Sequence, residues 1–478
     1  MTFGPRWAVA TALILAAASL VLPFHPVYDP WAWLIWGREL AGGGLETAAG
    51  PSWKPLPVLI DAPLSLLGGA APKAWLLVAR AGWICAPLLA GLLAARLSGE
   101  GTGRWRWAAA AVAAGSVALT GDSFTPPLRQ FTGGLSEPLL VALALGAIWA
   151  ALDERRGWTL GLGTAAALLR PECWPFLVLW AFYASRERPR LRAAAIGVVV
   201  LVPLAWLVPD LLGAGNPLEG GETARAGGVE PLDGLQVLGR ALAAPLAAAW
   251  VGLVLLLWRE RDELDQPLKI LLAGAVAWIV LVAVMAVAGW AGLPRFLSPA
   301  TAVLAVLGAV GIARSAASTS LPTGSAGLYA RYANQRSGGP SSQALRALVV
   351  VALVLTVAGF GWRVAQLPGD LEVVERQKTS IDQLFELVDQ TGKAQLLACG
   401  GTVRMTQVRE QTALAWKLEE PIASVPVRRR PKYGVALSTR PMPGGGVIAR
   451  VGRWRATVLP CPSGYGRQPV AADIELSR

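Results

Sequence analysis

The side chains able to do chemistry in this chain are the few charges set beside apolar runs. Asp29 lies in His25-Pro-Val-Tyr-Asp29-Pro30-Trp31, Lys54 in Trp53-Lys54-Pro55-Leu56-Pro57, and Glu137 in Ser136-Glu137-Pro138. Arg170 and Glu172 flank Pro171, and Arg295 lies in Leu293-Pro-Arg295-Phe-Leu-Ser-Pro299. An ionised group at the edge of a membrane span needs a counter-charge or a polar cavity, so such residues mark candidate sites. A positioned carboxylate can take the proton of a hydroxyl nucleophile, and an arginine fork suits a phosphate. Bland roles use the same residues: Asp29 as a helix cap ahead of Pro30, Glu137 as a helix-dipole partner, Lys54 as a headgroup anchor, and the whole set as a structural ion-pair network. Asp61, Asp122 and Arg129 lie in the same loops.

Much other chemistry is excluded. The chain has one histidine, His25, and four cysteines, Cys85, Cys173, Cys399 and Cys461. That rules out a His-rich metal cage, an HExxH helix and paired zinc-binding cysteines. Catalysis would have to rest on carboxylates and arginines, with His25 as an incidental or tuning neighbour of Asp29.

The elements that must hold these residues are membrane helices. Of 478 residues, 54% are apolar and only 15% charged, against about 25% charged in soluble proteins. Runs near 20 residues, the length that crosses a hydrocarbon core, occur at 7–23, 74–95, 105–121, 135–152, 193–212, 237–258, 268–288, 296–313 and 345–363. The stretch 158–183 is broken at Arg170-Pro171-Glu172 and reads as two short helices, giving about 11 spans. The net charge of +12 supports this parity: Lys and Arg concentrate in 1–6, 96–106, 153–157, 184–192, 259–269 and 314–346, which the positive-inside rule places in the cytoplasm. The N-terminus is then cytoplasmic, the C-terminus extracytoplasmic, and all the candidate site residues face outward. The first run reads as a retained anchor or as a signal peptide, although Pro23-Phe24-His25 lacks a small-residue cleavage site. An interfacial helix rich in tryptophan is expected after Asp29, a short segment around Asp61 dips into the outer leaflet, and 314–346 is a flexible loop.

From 367 the composition becomes that of a small soluble domain, so the chain divides into 1–366 and 367–478. An amphipathic helix is expected at Leu371–Gln390, stopped by Gly392, then a strand at Ala394–Ala398 and a helix at Gln407–Leu418. Further strands are expected at Ile422–Val427, Val435–Ser438, Val447–Val451 and Trp454–Leu459. The fold class is an all-α polytopic membrane domain with a small C-terminal α/β extracytoplasmic domain. Cys399 and Cys461 would pair in an oxidising compartment or remain separate thiols. The run Arg428-Arg429-Arg430-Pro431-Lys432 is a solvated loop or an anion contact.

The order of these motifs resembles the GT-C superfamily of integral-membrane glycosyltransferases, in the style of the protein O-mannosyltransferases and aminoarabinose-transferase-like enzymes. It covers about 1–365, through the acid after the first span, Lys-Pro-Leu-Pro, Ser-Glu-Pro, the helix pair broken at Arg-Pro-Glu, and Arg-Phe-Leu-Ser-Pro. The resemblance implies inverting transfer of a sugar from a polyprenyl-phosphate donor to a cell-envelope glycan, lipid or protein acceptor at the outer face of the plasma membrane. Asp29 would be the general base, with Arg295, Arg170 and Lys54 on the lipid phosphate and Glu137 and Glu172 orienting. Many such enzymes carry two adjacent acids in the first loop, whereas Pro30 and Trp31 follow Asp29 here. A divalent metal is therefore left open, and no metal ligand is assigned. A transporter or flippase of a polar or lipid-linked solute is the rival reading, and a membrane scaffold a third; no nucleic-acid partner is expected.

Overall fold

The structure is a computed structural model and describes residues 4–121, 126–225, 232–260, 263–319 and 342–461. Asp122 and most of the loop 314–346 lie outside the described residues. Among them, five helices are long and apolar enough to cross a membrane, or seven if each of two sharply bent pairs counts as one span. The chain is a multi-pass membrane protein.

The helices run α1 (Pro5–Ala18), α2 (Tyr28–Ala41), α3 (Pro55–Leu64), α4 (Ala71–Ser98), α5 (Trp105–Ala118), α6 (Pro127–Gly133), α7 (Glu137–Leu152), α8 (Arg156–Leu169) and α9 (Trp174–Glu187). They continue with α10 (Arg192–Ala214), α11 (Glu219–Ala224), α12 (Asp233–Ala243), α13 (Ala247–Arg259), α14 (Gln266–Val287) and α15 (Ser298–Thr319). The segment 158–183 does form two helices. Arg170 precedes a proline, which disfavours the helical region for it, and its backbone is extended at φ −149°, ψ 130°. Arg156 at the start of α8 pairs with Glu187 at the end of α9 at 3.4 Å, so the two fold back as a hairpin with Arg170 at its tip. The run 237–258, expected as one span, is instead α12 and α13, bent by 86°.

One apolar core fills the bundle, and its centre is the buried helix α15, packed on α13, α5, α4 and α14. Glycines set a close crossing of α13 and α15: a Cβ on Gly252 would collide with the Gly308 carbonyl oxygen, and one on Gly308 with that of Ala249. The 22 residues of α15 span about 33 Å, close to a hydrocarbon core of about 30 Å. At its far end Arg314 pairs with Glu260 and Asp265, each at 2.6 Å, and donates to the Leu97 carbonyl. Arg295 stands at its near end.

The last membrane helix and the amphipathic helix expected at 371–390 are one element, α16 (Ser342–Thr391), 50 residues long with Pro368 inside it. Its first half packs on α13 and α15, and its second half underlies a small sheet. After α17 (Lys393–Leu396) come β1 (Val403–Met405), α18 (Gln411–Leu418), β2 (Gly434–Ser438), β3 (Gly446–Val451) and β4 (Trp454–Leu459). The sheet order is β1-β2-β4-β3, with β1 parallel to β2 and the other pairs antiparallel. Two expected strands are absent: 394–398 is helix α17 and a turn, and 422–427 holds the 3-10 turn Ile422–Ser424, after which Val427 makes one isolated bridge to Met405. Both stretches are apolar and short, so periodicity could not separate strand from buried turn. Cys399, in the turn after α17, is disulfide-bonded to Cys461, with Cα atoms 5.7 Å apart.

Helix α2 was expected at the membrane interface. Instead its residues Pro30 to Gly37 are all buried, because α18 covers the side that would have faced water. Tyr28 donates to Gln411 at 3.0 Å, the Thr412 hydroxyl donates to the Tyr28 carbonyl at 2.8 Å, and the Trp31 and Trp416 rings lie 6.0 Å apart. A second apolar core thus joins α2, α3 and the start of α4 to the sheet and α18.

Candidate functional site

The six residues singled out from the sequence converge at one end of the bundle, each placed by a local rule. Asp29 is the second residue of α2, whose cap is Val27, so the expected capping role is not what it performs. The Val27 amide donates to the Gly133 carbonyl at 3.0 Å, which ties the first loop to α6. Lys54 is the extended residue before α3. Glu137 is the first residue of α7, set there by a 98° bend after α6. The bend needs Gly134, which is left-handed at φ +71°, where other residues are strained, and whose absent Cβ would meet the Trp75 indole nitrogen at 3.1 Å. Arg295 is the second residue of the 3-10 turn Pro294–Leu297, which is held by a 2.8 Å bond from the Trp278 indole to the Phe296 carbonyl.

The site has a buried floor and a more accessible upper layer. In the floor, Arg170 grips Glu172 with both fork nitrogens, at 2.5 and 3.2 Å, while its guanidinium lies over the Phe296 ring at 3.6 Å. Glu137, whose side chain is 1% exposed, has Arg295 at 3.5 Å, Arg170 at 3.7 Å and Lys54 at 3.9 Å around one carboxylate oxygen. Lys54 also donates to the Ser136 hydroxyl at 3.2 Å and lies 5.0 Å from the Trp33 ring centre; burial lowers its pKa, with Glu137 and Asp29 pulling the other way. In the upper layer Asp29 and Arg295 approach to 3.9 Å, with side chains 20% and 22% exposed. Three cations and three carboxylates therefore balance. The Glu137–Arg295 contact is too long or too oblique to be a hydrogen bond, and Nε of Arg295 makes none. That leaves arginine donor capacity for an incoming anion.

Between the bundle and the sheet module lies a cavity of about 120 Å³, lined by His25, Tyr28, Asp29, Trp31 and Arg295 on one side and Gln377, Arg409 and Glu410 on the other. Burial lowers the His25 pKa and raises that of Tyr28 to about 12 and that of Glu410. The contribution of 377–410 was not legible in the sequence, because it depends on α18 docking on α2 across more than 380 residues. As for a metal, no cluster of three His, Cys, Asp or Glu among the described residues fits an ion. Glu137 and Glu172 face cations instead, so the residues present do not make a hard-cation site, which draws on several oxygens.

Neither a protein-family model nor a curated protein sequence matches the chain. Solved structures do. The crystal structure of ArnT from Cupriavidus metallidurans bound to undecaprenyl phosphate aligns with 94% of this chain and 97% of that one, at 17% identity and a TM-score of 0.52. The same protein in the apo state aligns with 94% and 96% at 17% identity and a TM-score of 0.53. The apo oligosaccharyltransferase of Archaeoglobus fulgidus aligns with 88% of this chain and 64% of its own at 12% identity and a TM-score of 0.48. At 17% identity this likeness is one of fold, and the fold of this chain is GT-C-like.

Proposed function

We propose that the chain transfers a sugar from a polyprenyl-phosphate donor to a hydroxyl acceptor at the extracytoplasmic face of the membrane, with inversion. The observation that carries the reading is the contact of Asp29 with Arg295 above a buried arginine–carboxylate floor, in a fold shared with a protein crystallised with undecaprenyl phosphate. The acceptor oxygen attacks the anomeric carbon from the face opposite the phosphate. The C–O bond to phosphate breaks with its electron pair leaving on the phosphate oxygen, and Asp29 takes the acceptor proton. Charge grows on the leaving phosphate, so Arg295, with Arg170 and Lys54 behind it, stabilises the transition state more than the ground state. Glu137 and Glu172 hold the three cations in place. The positive-inside distribution supports this reading, since it favours a cytoplasmic N-terminus and an outward-facing site.

Purified protein given a radiolabelled polyprenyl-phosphate sugar should move label to an acceptor or to water. Asp29→Asn should slow transfer by about 10²- to 10⁴-fold at unchanged expression. An Asn variant of full activity removes the base assignment, and solute accumulation in proteoliposomes that is indifferent to Asp29→Asn replaces the reading with transport.

A further inference from the structure

Lys54 reaches Ser136 and Glu137 from an extended residue, so its place is set by the chain on either side of it. On one side Pro55 opens α3. On the other, 47–53 has no regular secondary structure and is pinned to α10 and α11 at three points. The Thr47 amide donates to the Gly213 carbonyl at 3.3 Å, the Trp53 indole to the Ala205 carbonyl at 3.0 Å, and the Ser52 hydroxyl to the Gly220 carbonyl at 2.8 Å. The Gly220 amide in turn donates to Oδ2 of Asp210 at 2.8 Å. Asp210 lies near the end of α10 and is only 3% exposed. Position 220 needs a glycine: a Cβ there would lie 2.9 Å from Asp210 Oδ2 and 3.2 Å from the Trp53 amide nitrogen. The carboxylate, the glycine and the residue before Lys54 are therefore packed against one another.

We infer that Asp210 is a positioning residue for the transfer reaction: through Gly220 and Ser52 it fixes the loop that presents the Lys54 ammonium to the lipid phosphate. The inference rests on the sugar-transfer reading, which puts Lys54 at that phosphate. A lysine ammonium is a point charge on a flexible four-carbon stem, so its aim depends on where its backbone is held. Misplacing a charged group by about 1 Å can cost about 10²-fold in rate. Tying α11 to α10 would by itself explain the bond from Gly220 to Asp210. It leaves unexplained why Ser52 and Trp53, the two residues directly before Lys54, are clamped to the same place.

The test measures undecaprenyl phosphate binding by the full chain in detergent, followed by tryptophan fluorescence. Asp210→Ala removes the oxygen that accepts the Gly220 amide and should weaken binding about tenfold, the scale of one charge-assisted hydrogen bond. Asp210→Asn keeps a side-chain oxygen for that amide and should restore most of the loss. Gly220→Ala, which forces Asp210 and Trp53 apart, should behave as Asp210→Ala does. The decisive readout is the double variant: with Lys54→Met already in place, Asp210→Ala should weaken binding no further, because its route runs through Lys54. A merely structural role would add its full effect there. Should Asp210→Ala fail to fold, Ser52→Ala removes one hydroxyl from the same chain of bonds and carries the same cycle. Three results overturn the inference: Asp210→Ala or its Ser52→Ala substitute binding as the parent does, an effect that persists undiminished beside Lys54→Met, or Asp210→Asn no better than Asp210→Ala. Any of these in a parent chain that binds undecaprenyl phosphate leaves the transfer reading standing. A parent with no affinity for undecaprenyl phosphate sinks that reading and this inference with it.

Discussion

The strongest stress on the site is removal of the carboxylate that three cations share. Glu137 is buried, with Arg295, Arg170 and Lys54 at 3.5, 3.7 and 3.9 Å. At an effective dielectric of about 20, each attraction is about 4 to 5 kcal/mol before desolvation and the mutual repulsion of the cations are set against it. Replacing one partner of a buried ion pair costs about 3–5 kcal/mol. Glu137→Gln should fall at the lower end, because Arg170 keeps its two-pronged grip on Glu172. The number to measure is the coupling. Arg295→Gln in the Glu137→Gln background removes a charge that has lost its main partner, so it should cost less than the same change in the parent, by about 1–3 kcal/mol. Unfolding in mixed micelles, followed by tryptophan fluorescence, gives the four stabilities of the cycle. A Glu137→Gln protein as stable as the parent, or single effects that add within about 0.5 kcal/mol, would refute the shared-carboxylate account.

Two further outcomes follow from the loops and the module. Burial raises the Glu39 pKa to about 7 even though one of its oxygens accepts the Glu46 amide at 3.0 Å. The folded chain therefore holds this proton more tightly than the unfolded chain does. Its contribution to stability is greatest at acid pH and declines as pH rises from the ordinary glutamate range towards 7; Glu39→Gln should flatten the difference in melting temperature between about pH 5 and about pH 8, and an unchanged difference would contradict this. For the disulfide, a 62-residue separation implies about 4 kcal/mol of loop-closure stabilisation. Non-reducing digestion should yield a peptide linked through Cys399 and Cys461, and a reductant should loosen the sheet; protease resistance that is unchanged by reductant would count against that magnitude.

The residues of the site were legible in order but not in arrangement. Charges beside apolar runs carry their own warning, and X-Pro steps at Arg170 and at Leu293 announce where helices stop, so the five segments could be named. What could not be read was which carboxylate sits under which cation, since that depends on a 98° bend at Gly134 and on helix crossings set by glycine contacts. The composition shift near 367 suggested a boundary, yet α16 runs straight through it despite Pro368. A proline removes one hydrogen bond, and here packing on both halves of the helix outweighs that loss. Likewise the tryptophans of α2 were read as facing an interface because nothing in a single sequence says that residues 411 and 412 will return to cover them.

The unbroken course of α16 also decides how this protein can be taken apart. Its 50 residues reach about 75 Å, more than twice a hydrocarbon core of about 30 Å, so one rod serves as bundle helix and as foundation of the sheet. A truncation at the composition change would sever that rod in mid-course, between the bundle and the residues Ile381, Leu384, Leu387 and Val388 that it presents to the second core. The remaining membrane part would show Trp31 and its neighbours to water, an apolar patch of the kind that drives aggregation. The two composition zones therefore share one helix and one apolar core: the sheet module is more like the upper storey of a tower than a tool bolted to its side.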